Sequence, residues 1–472
     1  MLSRDEVYRM LNRSFGFEPT EGQATALRHL TAFLLSQKKN PTYILRGYAG
    51  TGKTSLVTAI VKTLPVLGMQ FVLMAPTGRA AKVISNYTGQ FASTIHKRIY
   101  KALALPDGSI HIGRAENTFK NALFIVDEAS MIGDQHDFGS KSLLDDLLSY
   151  VFSGKNCRLL LIGDTAQLPP VGSIESPALD QEYLQSEFPL TIASFELTEV
   201  MRQALESGIL YNATHIRQLL VQQQIQYPLQ IFNIKDFKDT LKIESETFEE
   251  LLFQAFESEH DNESVIVCKS NKRARLFNQA IRSRILNIEG EIATGDKLMV
   301  VKNNYYWADG NKEISFIANG DIAEIQKIGR YEEMYGSRFA NVVLAFPDYP
   351  EAPHIEAKII LDTLNSDSAS LSEKESMRLR QAIEEDYMDI PNRRERYKEM
   401  EKNPWFNALQ VKFAYALTCH KTQGGQWKNV FIDSSLNLKE ALEEEDLRWL
   451  YTAITRAQEK VYFVNFKDEF FL

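Results

Sequence analysis

The sequence has few cysteines, no long apolar run and no excess of positive charge. Its three cysteines among 472 residues lie far apart and form no C-x-x-C pair, which argues against a disulfide scaffold or a zinc site and suits a reducing compartment. No apolar run approaches the roughly 18 residues of a membrane span, and the charged N-terminal residues do not resemble a secretory signal. We therefore expect a soluble, cytoplasmic protein without a membrane partner.

The net charge of −9 gives no sign of a nucleic-acid partner. It does not exclude one, because phosphate contacts need only a local basic groove. Hydrophobic residues make up 44% of the chain and charged residues 24%, which is typical of an ordinary globular protein. A chain of this length predicts roughly two to four domains.

The clearest pattern is a glycine-rich segment between a strand and a helix. Residues 43–45 predict a buried strand, residues 55–64 have helical apolar spacing, and G-x-x-x-x-G-K-T lies between them. This context distinguishes a phosphate-binding loop from a chance match, because glycines and a helix N-terminus aim N–H groups at phosphate oxygens. Lys53 can reach the β- and γ-phosphates, and the Thr54 hydroxyl can ligate Mg²⁺. The predicted nucleotide contacts are Gly47, Ala49, Gly50, Thr51, Gly52, Lys53, Thr54 and Ser55.

Two carboxylates end a second apolar strand at 123–126. Beside the phosphate-binding loop, Asp127 can hold Mg²⁺ and Glu128 can accept a proton from an attacking water. A strand that merely ends in a polar turn is the alternative, and the loop upstream argues against it. The second carboxylate favours hydrolysis over phosphoryl transfer, which disfavours a small-molecule kinase.

The order of strands and helices predicts an α/β protein with two parallel sheets. Short apolar strands alternate with helices from residue 42 to about 200, apart from an excursion at 98–120, and the pattern recurs near the C-terminus. Between the two stretches, alternating segments separated by turn residues predict a small β-rich insert, followed by a charged helical connector at 366–402. The predicted units are 1–203, then 204–295 together with 403–472, and the insert with its connector at 296–402.

Several further motifs make the chain resemble the superfamily 1 helicases. Residues 47–55, 125–130 and 161–172 resemble their motifs I, II and III, while T-C-H-K-T-Q-G-G at 418–425 and Y-T-A-I-T-R-A at 451–457 resemble motifs V and VI. The form of the last two is similar to the RecD/Dda branch, also called SF1B. The resemblance implies two RecA-like P-loop ATPase domains, an SH3-like insert in the second domain, and ATP with Mg²⁺ as cofactors.

The resemblance also implies nucleotide contacts outside the loop, at Gln23, Asp164, Gln167, Arg202, Gly425 and Arg456. Gln23 offers an amide that can pair with both edges of adenine, and Asp164 and Gln167 hold the position of a γ-phosphate sensor. Arg202 and Arg456 are the candidate arginine fingers, because a planar guanidinium grips phosphate oxygens and stays charged. Structural roles remain the alternatives: an exposed glutamine, a turn cap or a surface salt bridge.

A path for single-stranded DNA is implied in the same way. Threonine, histidine and lysine side chains suit phosphate and sugar contacts, although a structural histidine is the alternative. The implied contacts are Pro76, Thr77, Arg79, Lys82, Thr94, His96, Lys97, Thr418, His420 and Lys421. Candidate stacking residues are Tyr305, Tyr306, Trp307 and Trp427, and the 98–120 excursion is a candidate strand-separating pin with Ile110 or Ile112 near its tip.

The expected function is an ATP-driven DNA helicase that moves 5′→3′ and acts as a monomer on single-stranded, tailed or forked DNA. The alternative is an ATPase switch or assembly module that acts on a partner protein without unwinding DNA. Stimulation of ATP hydrolysis by single-stranded DNA, followed by strand displacement, separates the two.

Overall fold

The computed structural model describes residues 2–104, 110–134, 142–200, 206–222, 230–256, 263–308, 311, 314, 316–434 and 442–472. Within those ranges, no helix is both long and apolar enough to cross a lipid bilayer.

The first part of the chain forms a six-stranded parallel sheet in the order β3-β2-β6-β7-β1-β8. Its helices lie on both faces, and β4 and β5 form a separate antiparallel hairpin. The strands are β1 Pro41–Gly47, β2 Gln70–Ala75, β3 Ala92–Thr94, β4 Tyr100–Ala104, β5 Ile110–Arg114, β6 Ala122–Val126, β7 Arg158–Gly163 and β8 Thr191–Leu197. The helices are α1 Arg4–Phe15, α2 Glu21–Leu34, α3 Lys53–Thr63, α4 Gly78–Thr88, α5 Ile95–Ile99, α6 Leu143–Ser153 and α7 Gln181–Glu187.

This sheet confirms the predicted parallel arrangement. Every residue of β6 and of β7 is buried, because a parallel sheet covered on both faces needs continuous apolar strands. Helix α2 begins after Thr20, which is the N-cap and forms a capping box with Gln23. The hairpin tip at 105–109 lies outside the described residues, as do the side chains of Ile110 and Ile112, so the pin stays a prediction.

The second part of the chain combines a parallel sheet with a closed barrel. The sheet has the order β16-β10-β17-β18-β9, and the barrel consists of β11 to β15. The strands are β9 Thr240–Ile243, β10 Ser264–Cys268, β11 Lys297–Val300, β12 Ile322–Met334, β13 Ser337–Ala345, β14 Ile355–Ile360, β15 Leu409–Phe413, β16 Ala416–Thr418, β17 Trp427–Asp433 and β18 Ala457–Val464. The helices are α8 Gly208–Gln222, α9 Ser245–Phe256, α10 Asn271–Ala280, α11 Glu373–Glu385, α12 Arg393–Met400, α13 Cys419–Thr422 and α14 Glu444–Ile454.

The barrel confirms the predicted β-rich insert but takes one strand from beyond it. Strand β15 pairs with β11 antiparallel and with β14 parallel, which closes the barrel. The predicted unit of 403–472 places this strand in the second α/β sheet, which is wrong, because barrel closure depends on distant partners that local spacing does not reveal. A tight turn at residues 318–321 leads into β12: the Asp321 N–H donates to the Ala318 carbonyl at 3.1 Å, and Gly320 has a φ of +96°. The exact domain limits stay a prediction.

The charged segment at 366–402 is more than a solvated connector. Its helices α11 and α12 bury Leu379, Ile383 and Met400 against Phe339 and Ile360 of the barrel. An apolar stripe among many charges is sufficient for such packing.

Candidate active site

The loop between β1 and α3 has the backbone of a phosphate-binding loop. Gly50 and Gly52 have φ of +76° and +88°, a left-handed conformation that favours glycine. A Cβ atom at Gly52 would lie 2.5 Å from Nε2 of Gln23. Lys53 begins α3, and its Nζ donates to the carbonyls of Gly47 and Tyr48, the latter at 2.9 Å.

Gln23 fastens α2 to this loop. Its Oε1 accepts the N–H of Thr20 at 3.0 Å, and its Nε2 donates to the Thr51 carbonyl at 3.1 Å. The side chain is 2% exposed. These bonds use one donor and one acceptor of the amide and leave one of each, so adenine reading by Gln23 stays a prediction.

Asp127 follows β6 and is held by two hydrogen bonds. The hydroxyl of Tyr87 donates to Oδ2 at 2.7 Å, and the Glu128 N–H donates to Oδ1 at 2.9 Å. Tyr87 lies on α4 and is not among the predicted site residues, because nothing in its sequence spacing marks it as one. Together with Thr54, which is exposed on the first turn of α3, Asp127 supplies two oxygen atoms of the kind Mg²⁺ prefers.

Glu128 lies next to Asp127 in a left-handed backbone conformation, with φ of +53°. Non-glycine residues rarely adopt it, and such strain is concentrated at functional sites. Burial raises the pKa of the Glu128 carboxyl; Arg456 and Lys53 oppose this, and Asp127 reinforces it. The carboxylate is therefore close to cations from both parts of the chain.

Asp164 follows β7 and is 1% exposed. Its Oδ1 accepts the Ala166 N–H at 2.9 Å, and its Oδ2 accepts the phenol of Tyr451 at 2.6 Å. Burial raises the pKa of Asp164, and Lys53 opposes this. Tyr451 is the first residue of the motif at 451–457 but is not among the predicted site residues; the signal that could have identified it is a tyrosine hydroxyl within that motif.

The loop that follows Asp164 forms hydrogen bonds with α14 and with Gln423, both in the second part of the chain. The Leu168 N–H donates to Thr452 Oγ1 at 2.8 Å, and the Leu168 carbonyl accepts from Gln423 Nε2 at 2.6 Å. Arg448 donates to the carbonyl of Thr165. The ends of the first sheet's strands therefore face α14 and the segment around Gln423.

Arg456 completes this cluster from the second sheet's side. It is 4% exposed, and its Nε donates to the Thr452 carbonyl at 3.0 Å. One Nη donates to the Gly425 carbonyl at 3.4 Å, which places both predicted residues together. Arg202, the other predicted finger, lies outside the described residues. The structure thus gathers the predicted residues Lys53, Asp127, Glu128, Asp164, Gln167, Gly425 and Arg456, whose catalytic roles remain proposals.

No group of three or more histidine, cysteine, aspartate or glutamate residues could hold a metal ion within the described ranges.

Three predicted threonines occupy matching positions at the ends of parallel strands. Thr77 lies two residues after β2, Thr94 and Thr418 are the last residues of β3 and β16, and the three are the N-caps of α4, α5 and α13. Thr77 Oγ1 accepts the Ala80 N–H at 3.2 Å, and Thr94 Oγ1 accepts the Lys97 N–H at 3.1 Å. Helix N-termini at strand ends are suited to phosphate contacts.

Predicted DNA-contact residues from the two parts of the chain lie against each other near Arg79 and Trp427. The Arg79 guanidinium lies 3.8 Å from the centre of the Trp427 ring and donates to the Gln426 carbonyl at 3.2 Å. A Cβ atom at Gly424 would lie 2.7 Å from that of Ala80. Trp427 is only 4% exposed, so its face is covered by Arg79 and does not form an open stacking platform.

The other candidate stacking residues pack within the barrel region. Tyr305 stacks on Phe316 with ring centres 4.9 Å apart, and Trp307 Nε1 donates to the Asn407 carbonyl at 2.7 Å. Tyr306 packs edge-on against Trp307. These contacts favour the structural alternative for all three residues.

Two of the predicted lysines reach the barrel. Lys82 donates to the Pro347 carbonyl at 2.7 Å and lies 3.3 Å from Asp348. Lys421 donates to Asn319 Oδ1 at 2.7 Å, and burial lowers its pKa to about 8. Burial also lowers the pKa of His420, and the His96 ring lies 5.7 Å from that of Tyr100. The barrel therefore borders the predicted DNA track.

Comparison with known families gives two matches, one in each part of the chain. Residues 18–227 match the model of an AAA domain, and residues 413–464 match that of a UvrD-like helicase C-terminal domain. The phosphate-binding loop and Asp164 fall in the first match, and Arg456 falls in the second.

Curated relatives match part or all of the chain. The ATP-dependent RecD2 DNA helicase of Deinococcus radiodurans is 34% identical over 194 residues, which cover 41% of this chain and 23% of that protein. The ATP-dependent DNA helicase dda of Enterobacteria phage T4 is 25% identical over 466 residues, 94% of this chain and 99% of that protein. The chain thus spans about a quarter of the first relative and nearly all of the second. A solved structure of Pif1 helicases at forked DNA aligns with a TM-score of 0.48 and 16% identity over 97% of this chain and 94% of that one.

Proposed function

We propose that the chain is an ATP-dependent DNA helicase of the RecD/Dda-like branch of superfamily 1 and moves 5′→3′ on single-stranded DNA; its similarity to an AAA domain, to a UvrD-like helicase C-terminal domain and to the RecD2 and dda helicases supports this. One observation carries the proposal: Lys53 from the first part of the chain and Arg456 from the second both lower the pKa of the buried Glu128 carboxyl, so cations from both parts act on one carboxylate. An ATPase whose cations come from two bodies can convert hydrolysis into relative motion.

The residues present fit ATP and Mg²⁺. Gly50 and Gly52 adopt the left-handed backbone conformation just before the N-terminus of α3, whose first N–H groups have no partner within the helix and can bind phosphate oxygens. Thr54 and Asp127 would hold the metal ion. When bound, ATP supplies the phosphoanhydride bond whose hydrolysis drives the reaction.

Different residues of the chain have separate roles in ATP hydrolysis. Glu128 accepts the proton of the attacking water, and its raised pKa brings its basicity closer to neutral pH. Lys53, Arg456 and Arg202 stabilise the charge that develops on the transferred phosphoryl oxygens. Gln167 and Asp164 orient the water and sense the γ-phosphate.

The DNA contacts are proposed along the strand ends of both sheets. Thr77 and Thr94 on the first sheet and Thr418 on the second each occupy an N-cap position at the end of a strand, where their hydroxyls can contact phosphate or sugar oxygens. Lys82, Lys97 and Lys421 add charge. Closing and opening of the cleft would alternate the grip of the two sheets, so that a monomer advances along one strand. The substrates are single-stranded DNA and tailed or forked duplexes.

Stimulation of ATP hydrolysis by single-stranded DNA tests this proposal. The wild-type protein should hydrolyse ATP faster with DNA than without it. Lys53→Ala should abolish hydrolysis and keep DNA binding measurable, whereas Lys62→Ala, an exposed lysine on the same helix, should behave as wild type. An ATP hydrolysis rate that does not change when single-stranded DNA is added would overturn the proposal and favour an ATPase switch acting on a partner protein.

A further inference from the structure

The phenol of Tyr451 joins the two parts of the nucleotide cleft. Tyr451 lies on α14 and is 1% exposed. Its oxygen accepts the N–H of Ala49 in the phosphate-binding loop at 2.9 Å and donates to Asp164 Oδ2 at 2.6 Å. One hydroxyl from the second part of the chain therefore forms hydrogen bonds with two groups in the first part, the Ala49 N–H and the Asp164 carboxylate.

The rest of α14 faces the same loop. Thr452 accepts the Leu168 N–H, and Arg448 donates to the Thr165 carbonyl. Arg456 follows the end of the helix and lies near Glu128. A displacement of α14 relative to the loop after β7 would move Tyr451 and Arg456 together, because one short segment carries both.

We propose that Tyr451 is a positioning residue that transmits the state of the phosphate-binding loop and Asp164 to helix α14. The inference rests on the proposed function and extends it to the coupling between nucleotide turnover and DNA. An N–H group and a carboxylate that are buried without partners are costly. A shift of either Ala49 or Asp164 therefore draws the phenol, and with it α14 and Arg456, to a new position.

A purely structural role of Tyr451 can be distinguished by experiment from the proposed coupling role. Loss of a structural hydrogen bond lowers thermal stability and leaves the response to DNA intact. Loss of a coupling contact lowers the turnover number in the presence of DNA and leaves the KM for ATP nearly unchanged, since Tyr451 bonds the loop and Asp164 and is not assigned a contact with ATP.

The experiment compares Tyr451→Phe with a matched control, Tyr415→Phe. Tyr415 is also a buried tyrosine, and its phenol donates to Asp296 Oδ1 at 3.1 Å, away from the cleft. Tyr451→Phe should lower DNA-stimulated kcat about tenfold or more, the change that one hydrogen bond to a charged group supports, while KM for ATP changes by no more than about twofold. Tyr415→Phe should keep the wild-type stimulation by DNA, even if its melting temperature falls by as much as that of Tyr451→Phe.

A double-mutant cycle with Asp164→Asn identifies the path. If Tyr451 acts through Asp164, the double variant should lose no more DNA-stimulated kcat than the worse single variant. Fully additive losses would contradict the path. Where Tyr451→Phe fails to fold, Tyr451→His, which also removes the phenol, replaces it in the same assay with the same expected loss of DNA-stimulated kcat, and wild-type stimulation in that folded variant would overturn the inference.

The two proposals fail in different ways. A wild-type protein without DNA-stimulated hydrolysis would overturn the proposed function itself. A wild-type protein that is stimulated, together with a folded Tyr451→Phe variant that is stimulated equally, would overturn only the role of Tyr451.

Discussion

The hydroxyl of Tyr87 donates a 2.7 Å hydrogen bond to Oδ2 of Asp127, the carboxylate proposed to hold Mg²⁺. Burial, reinforced by the charge of Asp127, raises the pKa of Tyr87 well above its usual value. The hydroxyl therefore stays protonated and remains a donor. Partners of this kind fix the orientation of a metal-binding carboxylate.

Tyr87→Phe should raise the Mg²⁺ concentration that half-saturates ATP hydrolysis by about tenfold, as loss of such a partner does at other metal sites. Titration of hydrolysis with Mg²⁺ at saturating ATP measures it. Tyr100→Phe is the control, because Tyr100 makes a comparable 2.9 Å bond to Asp146 in another part of the first domain. Equal Mg²⁺ dependence in both variants would show that Tyr87 does not orient Asp127.

Arg456→Ala should keep nucleotide binding and lose hydrolysis by roughly a thousandfold, the effect expected of an arginine finger. Binding of a non-hydrolysable ATP analogue and single-turnover hydrolysis measure the two effects separately. Arg158→Ala is the matched control: Arg158 is also buried and bonds backbone carbonyls, but lies at the start of β7. If analogue affinity collapses in Arg456→Ala, the residue is structural.

DNA affinity should depend on pH through Lys421. Because burial lowers its pKa to about 8, the ammonium is charged below that pH and neutral above it. Affinity for single-stranded DNA should therefore fall as pH rises through about 8, with a smaller dependence on salt at the higher pH. Lys421→Arg, which stays charged throughout, should flatten the pH profile. An unchanged profile in that variant would remove Lys421 from the track.

The ion pair between Lys82 and Asp348 should weaken DNA binding. Asp348→Asn frees the charge of Lys82, so affinity for single-stranded DNA at low salt should rise several-fold. Glu351→Gln is the control, since it removes one exposed negative charge from the same loop. An equal rise in both variants would indicate a general effect of net charge, and no rise in Asp348→Asn would place Lys82 away from the DNA.

The parts of this molecule that local patterns determine could be predicted from the sequence. The loop from β1 to α3, the end of β6 at Asp127 and the cap at Thr20 each depend on residues close in sequence. Their spacing and chemistry specify them without knowledge of the rest of the fold.

Contacts between distant segments could not be predicted in this way. Strand β15 reads as part of the α/β pattern, and only its pairing with β11 and β14 assigns it to the barrel. Trp427 has the chemistry of a stacking platform, and only the position of Arg79 shows that its face is covered. The bonds of Tyr87 to Asp127 and of Tyr451 to Ala49 likewise join segments that no local pattern connects.

Strand displacement from tailed duplexes tests the central claim most directly. Two substrates with the same duplex, one with a 5′ single-stranded tail and one with a 3′ tail, are incubated with the protein, ATP and Mg²⁺, and Lys53→Ala serves as the inactive control. The account predicts ATP-dependent unwinding of the 5′-tailed substrate. Unwinding of the 3′-tailed substrate alone would contradict the direction of movement, and DNA-stimulated hydrolysis without any unwinding would contradict the helicase.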